Sequence, residues 1–74
     1  MPITLLKKGE KGRVSAIHGN DEVRHRLQEL GLVEGVEVEV ILSQAGKMIL
    51  GFYGTRLAVD ADLASRIMVE ICNQ

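Results

Sequence analysis

The sequence predicts a mainly β fold: a small closed β-barrel of five to six short strands with one inserted amphipathic α-helix and a short helical turn before the last strand. Three observations predict it. Apolar and polar residues alternate in several short segments bounded by glycine, which is the period-two pattern of half-buried strands. One segment carries apolar residues at helical spacing instead. The strands are short and closely spaced, and closing them into a barrel removes exposed sheet edges.

Length and composition predict a single small domain over residues 1–74 with an aliphatic core. Cys72 is the only cysteine, so no disulfide can form within the chain. Hydrophobic residues make up 46% of the chain and aromatic residues 3%, so Val, Ile and Leu must supply the core. β-Branched residues favour strands. Aliphatic packing must therefore hold the fold, because a domain of this size buries only about 60% of its unfolded surface.

The first part of the chain is interpreted as two strands joined by a charged turn. Residues 3–6 form a short apolar run and are predicted to be an edge strand. Residues 7–12, with the sequence KKGEKG, form a glycine-bounded turn. Residues 13–17 alternate as a strand, and the one mismatch, Ile17, predicts a bulge or a strand end that is covered on both faces.

Residues 23–30 are predicted to form the amphipathic helix. Val23, Leu27 and Leu30 fall at i, i+4 and i+7, so they share one face. Asn20 precedes the helix and can accept a hydrogen bond from a free amide of its first turn. Replacing this cap by Ala would cost about 1 kcal/mol.

Two glycines are predicted to link this helix to a strand. Gly31 follows the last apolar helical residue, where glycine at C′ adopts the left-handed conformation without a Cβ clash. Leu32 would then be C″ and would pack against Leu27 in a Schellman motif. Gly35 occupies the following turn, and residues 36–42 alternate as a strand.

The second half of the chain is predicted to be a series of hairpins that ends in a last strand. Residues 43–47 are interpreted as a five-residue loop. Residues 48–59 form a hairpin around Gly54 and Thr55, a two-residue type II′ turn with glycine at the first central position. Residues 60–64 read as one capped helical turn, and residues 67–71 alternate as the final strand.

Three stretches of the chain resemble the FeoA-type family. The run LQELGLVEG at residues 27–35 is similar to the family signature L-x-x-L-G-L-x-P-G, with Glu34 in place of the usual proline. Proline would fix the entry angle of this turn, so its loss leaves the turn less constrained. Residues 54–59 and 64–69 are similar to the family's G-x-R-x-A-L and A-x-x-I-x-V ending, and residues 12–17 fit its first strand. The residues that carry the match are Leu27, Leu30, Gly31, Leu32, Gly35, Gly54, Arg56 and Ala58.

The resemblance implies an SH3-like β-barrel with the helix inserted after the first strands. It also implies a small cytoplasmic accessory protein, without catalytic activity, that binds or regulates a FeoB-type ferrous-iron transporter. Such transporters are membrane proteins with a cytosolic G-protein domain. The same fold occurs as the C-terminal domain of iron-dependent repressors. A free-standing barrel that senses metal or binds a regulator is therefore the alternative, although the sequence shows no DNA-binding part.

Composition and motifs argue against several other functions. With 9 basic and 10 acidic residues and a net charge of -1, the chain lacks the basic excess of nucleic-acid binders. No apolar run is long enough to span a membrane, and no signal peptide is visible, so we expect a cytoplasmic protein. No catalytic triad or phosphate-binding glycine loop is present. Phe52 and Tyr53 are the only aromatic residues, too few to line a groove for proline-rich peptides.

We expect no resident metal or other cofactor. His18, His25 and Cys72 are the only soft or borderline ligands, and no two of them have the spacing of a built site. Binding of divalent metal would therefore be weak or adventitious. Asp60 and Asp62 are interpreted as a helix cap and a first-turn charge, not as a catalytic acid pair.

A protein-binding surface remains, and the helix is its first candidate. Leu27, Leu30 and Leu32 are expected to lie in the core and to hold the helix on the barrel. Leu30→Asp should then unfold the protein, because it would bury an unpaired charge.

Residues at the rim of the helix, together with an exposed tyrosine beside a turn, are the expected partner contacts, because tyrosine is enriched at binding hot spots. Self-association, the sign of any regulation and its dependence on nucleotide stay open from sequence. The predicted contacts are Arg24, His25, Gln28, Val33 and Tyr53.

Overall fold

A computed structural model describes residues 1–72 of the chain. Five antiparallel strands form one sheet, which confirms the mainly β prediction. In chain order the elements are a 3₁₀-helix η1 (Ile3–Leu5), β1 (Lys11–Ile17), α1 (Asp21–Glu29), β2 (Glu37–Gln44), β3 (Lys47–Phe52), β4 (Thr55–Asp60), α2 (Ala61–Ala64) and β5 (Ile67–Ile71).

The strands lie in the order β4-β3-β2-β1-β5, so β1 pairs with both the next strand and the last one. Two irregularities bend the sheet. One lies on β1 between Val14 and Ala16, close to Ile17, where a bulge was one of the two predicted alternatives. The other lies between Val40 and Leu42 on β2. Bulges increase the local twist of a strand, which helps this sheet curl around its core.

Short helices fill the gap between the two ends of the sheet. No ladder of backbone pairs joins β4 to β5 within residues 1–72. Helix α2 contacts β3, β4 and η1, and η1 in turn contacts β5. The N–H of Val69 also donates to the Met1 carbonyl at 2.7 Å, and the terminal amine of Met1 donates to the Val69 carbonyl at 3.1 Å.

One aliphatic core fills the barrel. The inward residues of β2 and β3 alternate as predicted, and among the described residues no polar or charged side chain is buried. The core is formed by Ile3, Leu6, Val14, Leu27, Leu32, Val36, Val38, Val40, Met48, Leu50, Phe52, Val59, Ala64, Ile67 and Val69.

Helix α1 has the predicted beginning and the predicted end. Asn20 Oδ1 accepts a backbone hydrogen bond from the first turn at 2.9 Å. At the other end, the Leu32 N–H donates to the Leu27 carbonyl at 2.9 Å and the Gly31 N–H donates to the Gln28 carbonyl at 3.0 Å. These are the two hydrogen bonds of a Schellman motif. Gly31 has φ 96°, so the glycine supplies the left-handed conformation that ends the helix.

Helix α2 is the predicted single helical turn. Asp60 is its N-cap, and Oδ1 accepts a hydrogen bond from the Leu63 N–H at 2.8 Å. Asp62 lies in the first turn and forms an ion pair with Arg66 at 3.5 Å. The interpretation of these two carboxylates as a cap and a first-turn charge is confirmed.

The prediction of an edge strand at residues 3–6 is wrong. Residues 3–5 form η1, and Leu6 is its C-cap. Ile3 and Leu6 are both buried and lie one 3₁₀ turn apart. A short apolar run has no periodicity that distinguishes a strand from a buried helical turn.

The first hairpin turn is shorter than predicted. The five-residue loop at residues 43–47 is a two-residue turn of Ala45 and Gly46, because Gln44 pairs with Lys47. Polar residues at the strand ends conceal this pairing in the sequence, since they interrupt the apolar pattern. The prediction of a type II′ turn at Gly54 and Thr55 is also wrong.

The turn between β3 and β4 lies one residue earlier than predicted. Phe52 pairs with Thr55, so the central residues are Tyr53 and Gly54. Tyr53 has φ 48° and Gly54 has φ 74°, and positive φ at both central residues defines a type I′ turn.

The prediction that Leu30 lies in the core is also wrong, because 48% of the residue is exposed. The helix ends at Glu29, and Leu30 is its C-cap with φ −80° and ψ −5°. The chain turns away at Gly31, so Leu30 does not continue the inward face formed by half-buried Val23 and buried Leu27.

Candidate functional site

A cleft of ≈ 460 Å³ opens between the end of β1, helix α1 and the loop that joins α1 to β2. We refer to it as the α1 cleft. It is lined by Ala16, Ile17, Arg24, Gln28, Leu32, Val33 and Glu34.

The helix and its Schellman turn position one wall of the α1 cleft. Arg24 and Gln28 are four residues apart and therefore lie one above the other on the helix surface. Leu32 is fully buried, and Val33, the next residue, is 37% exposed. Because the Leu32 backbone is hydrogen-bonded to the Leu27 carbonyl, the exposed valine is held at a fixed place beside the helix.

Hydrogen bonds to β1 hold the loop on the other side of the α1 cleft. The Gly35 N–H donates to the Val14 carbonyl at 2.8 Å, and the Val14 N–H donates to the Val36 carbonyl at 2.9 Å. Arg13 Nη1 also donates to the Gly35 carbonyl at 3.3 Å. These bonds constrain the loop that contains Glu34.

The α1 cleft combines apolar side chains with two opposite charges. Ile17 and Val33 contribute apolar surface, whereas Arg24 and Glu34 contribute one positive and one negative group. Neither charge takes part in an ion pair within residues 1–72. The lining contains no Ser, Cys or His and only one carboxylate. Such a surface has the chemistry of a binding site for a partner side chain.

The structure brings together three of the five predicted contacts, Arg24, Gln28 and Val33. His25 does not line the α1 cleft, and its Nε2 lies 3.8 Å from a carboxylate oxygen of Glu29 on the solvent side of the helix. Tyr53 is 82% exposed but lies elsewhere.

Tyr53 lines a second groove of ≈ 380 Å³, on the outer surface of β2, β3 and β4. Glu37, Glu39 and Arg56 also line this groove, so charged groups of both signs border it as well. The two predicted surfaces are therefore separate.

Sequence reasoning missed the cleft residues Ala16, Ile17 and Glu34. They meet the helix only because β1 ends beside it. The mismatch at Ile17 was the available signal: it predicted a bulge or a strand end covered on both faces, but not that the helix lies beside it.

The described part of the chain contains no group of three or more His, Cys, Asp or Glu residues that could hold a metal ion. Between Met1 and Cys72, no helix is long and apolar enough to cross a membrane.

Comparison with known proteins identifies the family. A family model described as the FeoA domain matches residues 1–71. The chain belongs to the FeoA family. A relative from Methanocaldococcus jannaschii, named "Putative Fe(2+) transport protein A", is 33% identical over 69 residues, which is 93% of this chain and 84% of the relative.

Solved FeoA structures have the same fold as this FeoA-family chain. The crystal structure of an iron uptake regulatory protein (FeoA) has a TM-score of 0.89 and 33% identity, and the match covers 97% of both chains. FeoA of Stenotrophomonas maltophilia, a procaryotic SH3 domain protein solved in complex with zinc, has a TM-score of 0.80 and 27% identity, over 95% of this chain and 89% of that one. The predicted SH3-like fold is therefore confirmed.

The fold also occurs in metal-dependent repressors, as the resemblance implied. A manganese-dependent transcriptional repressor has a TM-score of 0.89 at 16% identity, and the match covers 36% of its chain. At this identity the likeness concerns the fold alone.

Proposed function

We propose that this FeoA-family chain is a cytoplasmic accessory protein of ferrous-iron uptake that acts by binding the cytosolic side of a FeoB-type transporter. It regulates the transporter by contact and catalyses no reaction. Family membership and the name of the M. jannaschii relative support the link to Fe²⁺ transport.

The α1 cleft is the observation that carries this proposal. Ile17 and Val33 give the cleft an apolar patch, and Arg24 and Glu34 add one charge of each sign. Protein interfaces commonly consist of an apolar centre inside a polar rim. An apolar side chain of the transporter, flanked by polar groups, therefore fits this cleft.

Isotope-labelled protein titrated with the soluble cytosolic domain of the matching transporter tests the proposal by NMR, with and without guanine nucleotide. We expect amide shifts to cluster on the residues of the α1 cleft. Binding that leaves these amides unchanged would remove the cleft from the proposal. Spectra that do not change at all would argue against contact with this cytosolic domain.

A charge-matched pair of variants sharpens the test. Arg24→Glu reverses a charge in the α1 cleft, whereas Arg26→Glu makes the same change on an exposed helix position outside it. We expect Arg24→Glu to weaken binding about tenfold or more, which corresponds to about 1.4 kcal/mol, and Arg26→Glu to change it less. Equal effects would mean that overall charge, and not the cleft, determines binding.

The proposal includes no resident metal. We expect Fe²⁺ or Zn²⁺ to bind the isolated chain weakly and without defined stoichiometry, because its soft ligands His18, His25 and Cys72 are scattered. Stoichiometric micromolar binding in a calorimetric titration would favour a metal-sensing barrel instead.

A further inference from the structure

The two edges of the sheet differ in how they are covered. At the β5 edge, the backbone of Met1 bonds Val69, and Pro2 forms a bridge with Met68. At the β4 edge, no backbone hydrogen bond outside the β3–β4 hairpin reaches Arg56 or Ala58 from any part of residues 1–72. An uncovered edge strand is a template for pairing with another chain.

The register of the hairpin shows which backbone groups of β4 point outward. Phe52 pairs with Thr55 across a two-residue turn, so these two residues exchange backbone hydrogen bonds. The exchange alternates along an antiparallel ladder. The outward-pointing residues of β4 are therefore Arg56, Ala58 and Asp60, and all three are exposed.

We propose that this edge pairs in antiparallel fashion with the same edge of a second copy of the chain, with Ala58 on the two-fold axis. The two Ala58 residues then exchange both of their backbone hydrogen bonds. The small alanine side chains allow the strands to approach, and the result is a continuous sheet across a symmetric dimer.

The charges of the edge select this register. With Ala58 on the axis, Arg56 of each copy lies directly opposite Asp60 of the other. Directly opposed unlike charges stabilise a strand pair, whereas like charges destabilise it. In another register of the two β4 strands, Arg56 of one copy lies opposite Arg56 of the other. That register is unfavourable, because it places like charges directly opposite each other.

Both groups are available for this contact. Neither Arg56 nor Asp60 forms an ion pair within the described part of the chain. Asp60 Oδ1 accepts the Leu63 N–H at 2.8 Å, which leaves Oδ2 for a guanidinium.

The inner side of the strand is complementary too. In the same register Leu57 of one copy lies opposite Val59 of the other. Leu57 is only half-buried in a single copy and packs at the edge of the core, so the second copy covers apolar surface that one copy leaves in water.

The dimer leaves the proposed transporter surface accessible, since no residue of β4 lines the α1 cleft. The two proposals are therefore independent, and each is tested without the other.

Sedimentation velocity of the full chain, over concentrations up to the millimolar range, measures the association. We expect a reversible monomer–dimer equilibrium. In a mixture of labelled and unlabelled protein, isotope-filtered NMR should show a contact between the Leu57 and Val59 α-protons of different copies, because this pair is not hydrogen-bonded and its α-carbons are close. A chain that stays monomeric, or an intermolecular contact elsewhere, overturns the proposal.

Variants test the charge argument. Arg56→Glu replaces two opposed unlike pairs by two like pairs and should raise the dimer dissociation constant by about tenfold or more. Lys8→Glu makes the same charge change at an exposed turn and should leave the constant within about twofold, since only a distant, screened charge changes. Equal constants for the two variants overturn the proposed register.

A second edge variant separates association from folding. Asp60→Asn removes the charge but keeps a residue that caps α2 as well, so it should weaken the dimer several-fold while far-UV circular dichroism stays unchanged. If the transporter domain shifts the β4 amides while the chain alone remains monomeric, the edge belongs to that partner and the proposal of a second copy fails.

Discussion

Leu27 and Leu30 lie three residues apart, yet Leu27 is 1% exposed and Leu30 is 48% exposed. Leu27 lies in the last helical turn, and its carbonyl accepts the Leu32 N–H that closes the Schellman motif. Leu30 is the C-cap, beyond the last helical residue. The point at which the helix ends therefore decides which of two similar leucines is buried.

The same contrast between a buried and an exposed residue continues after Gly31. Leu32 is fully buried, and Val33 is 37% exposed. Leu27 and Leu32 form an inner side that holds α1 on the barrel. Leu30 and Val33 form an outer side that contributes little to the core and is accessible to a partner.

The largest expected loss of stability comes from a substitution on the inner side, which is formed by Leu27 and Leu32. Leu27→Ala removes a side chain that is fully packed in the core, so the free energy of unfolding should fall by about 2–5 kcal/mol. Leu30→Ala, the matched change on the outer side, should alter it by only about 0.5 kcal/mol. Urea unfolding of both variants measures the difference. Similar losses in the two variants would show that burial does not separate these leucines.

Replacing Gly31, which lies between the inner and outer sides, should reduce the free energy of unfolding by an intermediate amount. Gly31→Ala places a Cβ 3.7 Å from Phe52 Cε2, an ordinary contact, so the cost arises from the left-handed backbone. That cost is about 1–2 kcal/mol. Gly31→Asn should lose less, because asparagine tolerates this conformation better. Thermal unfolding of both variants tests this order, and an equally large loss for Asn would point to packing instead.

The smallest expected effect on stability is that of a charge on the outer side. Leu30→Asp should fold, contrary to the expectation from sequence, because Leu30 is solvent-exposed. A carboxylate near the helix C-terminus should cost about 0.3–1 kcal/mol through the helix dipole. Leu30→Lys is the control without that cost. Circular dichroism and urea unfolding report the result, and an unfolded Leu30→Asp protein would mean that this side chain is buried after all.

The local elements of the fold were predictable from sequence because their signals are local. Asn20 and Gly31 bound the helix through hydrogen bonds to residues within a few positions. The alternation of β2 and β3 follows from which face meets the core. Tyr53 shows the limit: a non-glycine residue with positive φ is uncommon, so the sequence favoured glycine at the first turn position, and the turn was placed one residue too late.

The α1 cleft was predictable only in part. Arg24 and Gln28 share a helix face by spacing alone, so their proximity follows from the sequence. Ile17 and Glu34 join them through the pairing of β1 with the loop after α1, which is a tertiary contact. No periodicity within one element encodes that contact.

The place of β1 between β2 and β5 has a consequence for the order of folding. One neighbour of β1 is the last strand, with Gly12 opposite Ile71, so the pairing closes a loop that contains most of the chain. Such non-local pairing slows folding, because the entropy of the loop is lost before the contacts form. During synthesis β1 can pair with β2 early but must wait for β5 to leave the ribosome. Until then one side of β1 is open to solvent, and the barrel can be completed only after β5 has emerged.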